Sequence, residues 1–257
     1  MSMYPVRDSG IKKKAQKGCI SNGVYAVASS GGKDSTHALY QAQKRGLNVR
    51  WLLHLYNPDN SRIRFHGYRK EVIIRQAKTV GLEQLVMPAR WDNYDEDFKR
   101  ALKKLKQRGV EGLIFGEINP VRDSKDGEKV QKDGISNEVN LEDCRKYNER
   151  MVKQEGLKYY APLWKIPPGA VLEKFIKQGF KAVVCSVWEK LLNKKYLGRE
   201  INEEFLKDIS KEKNVDVCGE NGEYHSLVYD GPCFKEPLSY KIHGVHQEKE
   251  NVFLDIR

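Results

Sequence analysis

Ser30-Gly31-Gly32-Lys33-Asp34-Ser35 lies between an apolar run, Val24 to Ser29, and a helix-patterned segment that begins near Asp34, and its reading decides the fold. An apolar strand turning straight into an amphipathic helix makes a phosphate cradle. Two adjacent glycines let the backbone approach an anion with no Cβ in the way, and the helix offers free N–H groups and its positive dipole end. Lys33 adds a mobile cation, and Ser30 and Ser35 add hydroxyl donors. A Walker A loop is excluded, because its Lys is followed directly by Ser or Thr, whereas here Asp34 follows Lys33.

Working outward from this loop, strand and helix patterns alternate. Ala38, Leu39 and Ala42 share a helical face that Gly46 closes, and Val49 to Tyr56 is a continuous apolar strand ending at Asn57-Pro58. The spacing of Val72, Ile73, Gln76, Ala77 and Val80 predicts a helix over 68–80, and Leu85 to Met87 a short strand. Phe98, Ala101, Leu102 and Leu105 predict a helix over 95–108, with Asp95, Glu96 and Asp97 suited to its N-terminus. A strand at 112–115, a helix near 141–155 and a strand at 159–163 follow. Such alternation implies an α/β fold with a parallel sheet wound on both faces and ligands beyond the carboxyl ends of its strands. From Lys165 the texture changes: Pro167-Pro168 opens a helix, 182–187 reads as a buried strand, and the last 45 residues are strand-like. A domain boundary is placed near Trp164, with a smaller α+β domain after it.

Internal repetition interrupts this order. Pro5-Val6-Arg7-Asp8-Ser9 recurs as Pro120-Val121-Arg122-Asp123-Ser124, and residues 5–24 match residues 120–139 at 12 of 20 positions without a gap. Both copies are rich in Lys, Asp, Gly and Ser and have no face to bury, so they read as polar additions from one duplicated element. A paired module that binds RNA or a partner is the competing reading.

The 257 residues carry a formal net charge of +11, which points to an anionic partner such as a nucleotide, RNA or a ribosome-associated protein, or to a solvated basic surface. No apolar run spans a bilayer and the Lys-rich start lacks a signal-peptide core, so the expectation is a soluble cytoplasmic protein with no membrane partner. Five scattered cysteines with no C-x-x-C pair suggest neither a disulfide framework nor a zinc site.

A second chemical cluster, Gly219-Glu220-Asn221-Gly222-Glu223-Tyr224-His225-Ser226, precedes a Asp230-Gly231-Pro232 turn. Two carboxylates and an imidazole around a glycine turn suit a site for a cation, an amine or a metal-bound phosphate, and equally a charged hairpin turn. The Ser30 loop resembles the SGGxDS loop of the PP-loop (HUP-like) ATP pyrophosphatases. With the Glu220 segment, the chain resembles the diphthine–ammonia ligase family of that superfamily. Phe65-His66, Leu197-Gly198-Arg199 and Leu141-Glu142-Asp143-Cys144-Arg145 extend the likeness over roughly 24–118 and 140–257. Ser226 stands where the family usually has Thr, and Glu117 where it has Asp.

This resemblance implies ATP-dependent amidation of diphthine, a modified histidine on translation elongation factor 2, with ammonia through an acyl-adenylate, giving diphthamide, AMP and pyrophosphate. It implies ATP and Mg²⁺ as cofactors, with no nucleic acid required. Ser30, Gly31, Gly32, Lys33, Asp34 and Ser35 would bind the nucleotide, and Asp34 the metal. Lys33, Asp34 and Glu223 would be catalytic, and Glu220, Gly222, Glu223, Tyr224, His225 and His66 would meet the substrate. Residues 24–164 would form the ATP-binding domain, with 119–139 inserted, and 165–257 the substrate-binding domain, after a polar extension at 1–23. The alternatives are a PP-loop tRNA-modifying enzyme, against which stands the lack of a zinc ribbon or RNA-binding module, and a non-catalytic nucleotide-binding protein of the same fold. If residues 120–138 are an addition, deleting them leaves a cooperatively folding protein in urea unfolding followed by circular dichroism; an unfolded deletion variant would refute that reading.

Overall fold

The computed structural model describes residues 23–118 and 141–257. The expectation that both repeat copies are exposed falls outside those residues, save Gly23 and Val24.

The loop follows the first strand, β1 (Val24–Ala28), and runs into α1 (Lys33–Lys44). Then come β2 (Asn48–Asn57), the two-residue β3 (Arg62–Ile63), α2 (Lys70–Val80), β4 (Glu83–Pro88), α3 (Tyr94–Gln107) and β5 (Val110–Ile114). The chain continues through α4 (Leu141–Gln154) and β6 (Lys158–Tyr160). Helix ends follow the sequence signals: Gly46 and Gly81 take φ of 81° and 76° just past α1 and α2, where an L side chain would be strained.

The main sheet runs β4, β2, β1, β5, β6, all parallel, with β3 antiparallel on the far end of β2. From β1 the chain therefore winds one way through β2 and β4, then returns to the other side for β5 and β6. The reversal lies between β1 and β5, where a doubly wound sheet forms its ligand crevice. Residues alternate across the sheet as a period of two requires. Tyr25 and Val27 face one apolar cluster with α1, while Ala26, Leu53 and Leu113 face another with Phe98, Leu102 and Leu105 of α3. Burying each of these large side chains stabilises by about 1.5–3 kcal/mol.

After the main sheet come α5 (Pro168–Lys177), β7 (Lys181–Trp188), α6 (Glu203–Ile209), β8 (Tyr224–Asp230), β9 (Ile242–Glu248) and β10 (Asn251–Ile256). Asn202 caps α6, its side-chain oxygen accepting the N–H of Phe205 at 2.9 Å. The four strands form an antiparallel sheet in the order β8, β7, β10, β9. The fold class thus matches the expectation of a parallel doubly wound sheet followed by a smaller α+β part.

The two sheets share their apolar interior. One cluster runs from Val27 and Leu39 through Leu172, Phe175 and Phe180 to Val184, Tyr224 and Val228. Another joins Tyr68, Val72 and Ile73 to Val183, Cys185 and Leu227. The four described cysteines, Cys144, Cys185, Cys218 and Cys233, are free. No helix among the described residues is long and apolar enough to cross a membrane.

Phe175, 1% exposed and stacked on Phe180 at 4.7 Å, sits in the shared cluster. Its replacement by Ala should cost about 3–5 kcal/mol and shift one cooperative urea transition; two separable transitions would contradict the shared core.

Candidate active site

The cradle is built by β1 and α1 and closed by β8, some 190 residues later in the chain. Gly31 takes φ 81°, and a Cβ there would come within 2.9 Å of Gln76 Oε1 and of the Tyr68 hydroxyl. A Cβ on Gly32 would lie 2.6 Å from His66 Cε1 and 3.0 Å from the Ser226 carbonyl oxygen. Both glycines are therefore required by close approach, and Gly31 by its conformation as well. The loop is anchored below by Ser29, whose N–H donates to the Leu53 carbonyl at 2.8 Å and whose own carbonyl pairs with His54 Nδ1 at 2.7 Å.

β8 binds the loop from the other side. The Val228 N–H donates to the Gly31 carbonyl at 3.0 Å, and Gln76 Nε2 donates to the carbonyls of both Gly31, at 2.9 Å, and Val228, at 2.6 Å. The Tyr68 hydroxyl donates to the Ser30 carbonyl. The N-terminus of α1 has no cap from its own neighbours; the Lys33 N–H donates instead to the Ser226 hydroxyl at 3.1 Å. Thr at this position would keep the same acceptor. The N–H groups of Gly31 and Gly32 are turned to the hydroxyls of Ser29 and Ser30 at 3.2 and 3.4 Å, long contacts that a phosphate oxygen would outcompete.

Lys33 is 4% exposed. Its ammonium donates to Asp34 Oδ2 at 2.8 Å and to the Cys218 carbonyl, and lies 5.1 Å from the Tyr224 ring centre. Burial alone would disfavour its charge, but the Asp34 carboxylate first, then Tyr224, Cys218 and Glu220, outweigh that and hold its pKa well above the ordinary lysine value. Burial raises the Asp34 carboxyl although Lys33 opposes the shift, and Asp216 adds to it. Burial, and then the Asp34 carboxylate, push the Glu220 carboxyl well above its usual range, with Lys33 pulling the other way. Asp34 Oδ1 is buried with no partner. That orphaned oxygen fits a hard cation, which with Mg²⁺ needs few protein ligands beside phosphates and water. Among the described residues no group of three or more His, Cys, Asp or Glu is arranged to hold a metal.

Glu223 has a different surrounding. Fully buried, its carboxylate accepts from the backbone N–H groups of Asp216, at 2.8 Å, and Asn221, at 2.9 Å, and from the Asn221 side chain at 2.9 Å. It fastens the glycine turn, in which Gly222 takes φ 85°, and so aims Glu220 toward Lys33. Tyr224 donates its hydroxyl to the Val217 carbonyl at 2.7 Å. His66 Nδ1 donates to the Ser226 carbonyl at 3.0 Å, which fixes its tautomer, and its ring lies 4.8 Å from that of His225. Burial lowers the His66 pKa to about 4, and burial, His66 and Lys33 lower that of His225 well below the ordinary imidazole value. Both rings are neutral at pH 7.

The two motifs found in the sequence therefore occupy one place. Ser35 donates its hydroxyl to the Gly32 carbonyl at 3.2 Å, inside the loop turn. Gly116, expected at the same sheet edge, packs on the start of α1, where a Cβ would stand 2.4 Å from the Asp34 carbonyl carbon. Glu117 accepts from Asn148 Nδ2, at 2.7 Å, and from the Tyr159 hydroxyl.

The family model of the diphthamide synthase N-terminal domain matches residues 23–136, and that of the diphthamide synthase C-terminal domain matches residues 167–257. The chain belongs to the diphthamide synthase family. A Mus musculus protein named diphthine–ammonia ligase is 27% identical over 228 residues, covering 83% of this chain and 81% of the mouse protein. Its Homo sapiens namesake is 27% identical over 222 residues, with the same shares. A Schizosaccharomyces pombe protein of that name is 26% identical over 221 residues, which make up 81% of this chain and 34% of the longer relative.

Within this diphthamide synthase fold the sequence reading passed over three groups: Tyr68, Gln76 and Asp216. Gln76 had a signal, being a polar residue in the apolar stripe of its helix. Tyr68 had none, since its partner Ser30 lies far away in sequence, and Asp216, which accepts the N–H groups of Cys218 and Glu220, stands before the glycine turn that drew the reading.

His66 also links the site to stability. Its folded pKa is depressed from an ordinary 6.5 to about 4, so below pH 6.5 the unfolded chain takes up a proton that the folded site refuses, and stability falls as pH drops through that window. Full loss from this one residue is about 3 kcal/mol. His66→Gln should reduce the decline in urea-unfolding free energy between pH 7 and pH 4; an unchanged pH profile would show that the imidazole is not held neutral.

Proposed function

We propose that this protein amidates diphthine on translation elongation factor 2, using ATP and ammonia and releasing AMP and pyrophosphate. The observation that carries the reading is the direct bonding of the two motifs, the Lys33 N–H to the Ser226 hydroxyl and the Lys33 ammonium to the Cys218 carbonyl. A phosphate cradle and a carboxylate-bearing turn form a single site. The family relatives named diphthine–ammonia ligase support the same reaction.

ATP fits the residues present: the two glycines leave a surface with no Cβ, the α1 N-terminus and Lys33 supply positive potential, and Ser30 and Ser35 supply hydroxyls. When bound, it supplies AMP as a leaving group in place of oxide. A carboxylate oxygen of diphthine attacks the α-phosphorus and pyrophosphate departs, giving the acyl-adenylate. Ammonia then attacks the acyl carbon, and AMP leaves with that oxygen.

Lys33 neutralises the departing pyrophosphate, and Asp34 offers its free Oδ1 to Mg²⁺. Glu220, whose raised proton affinity suits a general base, takes the proton that ammonium must lose before its nitrogen can attack. Glu223 positions that turn, and His66 and His225 present neutral rings beside it. We assign residues 24–164 to nucleotide binding and 165–257 to the substrate side, in a cytoplasmic enzyme whose protein partner is the elongation factor.

The test is incubation of the purified full chain with ATP, ammonium and diphthine-bearing elongation factor, following AMP release and amide formation by mass spectrometry. Lys33→Ala should lower turnover about 10²–10³-fold and Glu220→Gln about 10²-fold. ATP cleavage stimulated by tRNA but not by the factor would overturn the assignment.

A further inference from the structure

Two large aromatic side chains stand in solvent beside the site. Phe65 is 59% exposed and Trp91 67% exposed, with ring centres 5.7 Å apart. Single exposed apolar residues are ordinary on protein surfaces, but this pair is continuous with the catalytic loop. Phe65 stacks on His225 at 5.8 Å, His225 lies 4.8 Å from His66, and His66 touches Gly32. Four rings thus lead from the phosphate cradle to the surface.

The outward placement of Phe65 is enforced. Its backbone takes φ 63°, a conformation that a bulky L residue adopts only against its preference. The Ser186 hydroxyl donates to the Phe65 carbonyl at 2.8 Å, and the Gly67 N–H closes the turn on the Ile63 carbonyl at 3.1 Å. The strain holds an aromatic ring in water, where packing gains little.

The chemistry of the row selects its ligand. Both imidazoles are neutral at pH 7, so the inner rings offer π faces without positive charge. Such surfaces favour a soft cation, above all a quaternary ammonium with no N–H to solvate. At the outer end the Arg64 guanidinium lies 3.9 Å from the Trp91 ring centre, so a cation is repelled there and an uncharged ring is favoured. Diphthine has both groups in this order: a trimethylammonium on the carbon beside the reacting carboxylate, and the imidazole two methylenes farther out.

We propose that Phe65 and Trp91, with His225 behind them, form the subsite that reads the diphthine side chain, the trimethylammonium against His225 and Phe65 and the substrate imidazole against Trp91. This rests on the amidation reading above. It adds a specificity role for two surface residues: without the methylated ammonium a side chain loses its hold on the inner faces and is a poor substrate.

The experiment compares wild type with Phe65→Gly, which suits the positive φ, with Phe65→Leu, which keeps apolar bulk without a π face, and with Trp91→Ala. Each variant should raise KM for diphthine-bearing elongation factor about tenfold, the size of one cation–π contact at Phe65 and of one aromatic stacking contact at Trp91, while leaving KM for ATP unchanged. As a readout independent of turnover, glycine betaine should perturb tryptophan fluorescence where glycine does not, and the difference should vanish in Trp91→Phe. Wild-type KM for the factor in Phe65→Gly and Trp91→Ala would overturn the subsite while leaving the amidation reading intact. Equal responses to betaine and glycine would overturn cation recognition. A wild-type enzyme that does not amidate the factor would sink the parent reading, and the subsite with it.

Discussion

The bond from the Val228 N–H to the Gly31 carbonyl ties the last third of the chain to its first loop, and the geometry of the site depends on it. Gln76 doubles the tie by donating to the carbonyls at both ends. Each of these groups is buried, so breaking the link would strand polar atoms at a cost of about 1–3 kcal/mol apiece. With β8 fixed to the loop, Ser226 falls at the N-terminus of α1, His225 meets the rings of Phe65 and His66, and the preceding turn brings Glu220 to Lys33. A strand displaced by one residue would turn these side chains to the opposite face.

That placement creates an unusual electrostatic balance. A buried ammonium is costly unless paired, and Lys33 is held by one carboxylate at hydrogen-bond distance and another nearby. Burial raises the proton affinity of both carboxyls, and a neighbouring carboxylate adds to it, Asp216 beside Asp34 and Asp34 beside Glu220. The arrangement is poised for charge to enter and leave: added negative phosphate would find Lys33, and a proton would find Glu220. Burial that would be a liability in a passive fold becomes, in the proposed reaction, the source of reactivity.

Much of this was legible in the sequence because its causes are local. The glycine pair, the apolar run before it and the helical spacing after it specify strand, loop and helix without reference to anything distant. Asp95, Glu96 and Asp97 announce α3, and Gly81 ends α2, for reasons contained within one turn of chain. The role of Glu223 was not legible: as a carboxylate in a glycine turn it reads as chemistry, and only the turn's own N–H groups closing on it reveal a fastening. Nor could the boundary near Trp164 disclose that Val27, Phe175 and Val228 share one interior, since contacts of that range leave no periodicity. The two residues of β3 were too short to leave any signal, yet the turn they begin carries Phe65 and His66.

Gly116 and Ile118 sit on either side of Glu117 with no freedom to move, the first pressed on the α1 backbone and the second 1% exposed. Residues 119–140 follow immediately beyond them, before the start of α4. Gly116 and Ile118 thus mark a junction at which a protein engineer could lengthen the chain beyond the packed residues. A ligand-sensing module spliced there would be attached to a strand end that packs on the start of α1, and could report on or control the enzyme through that contact.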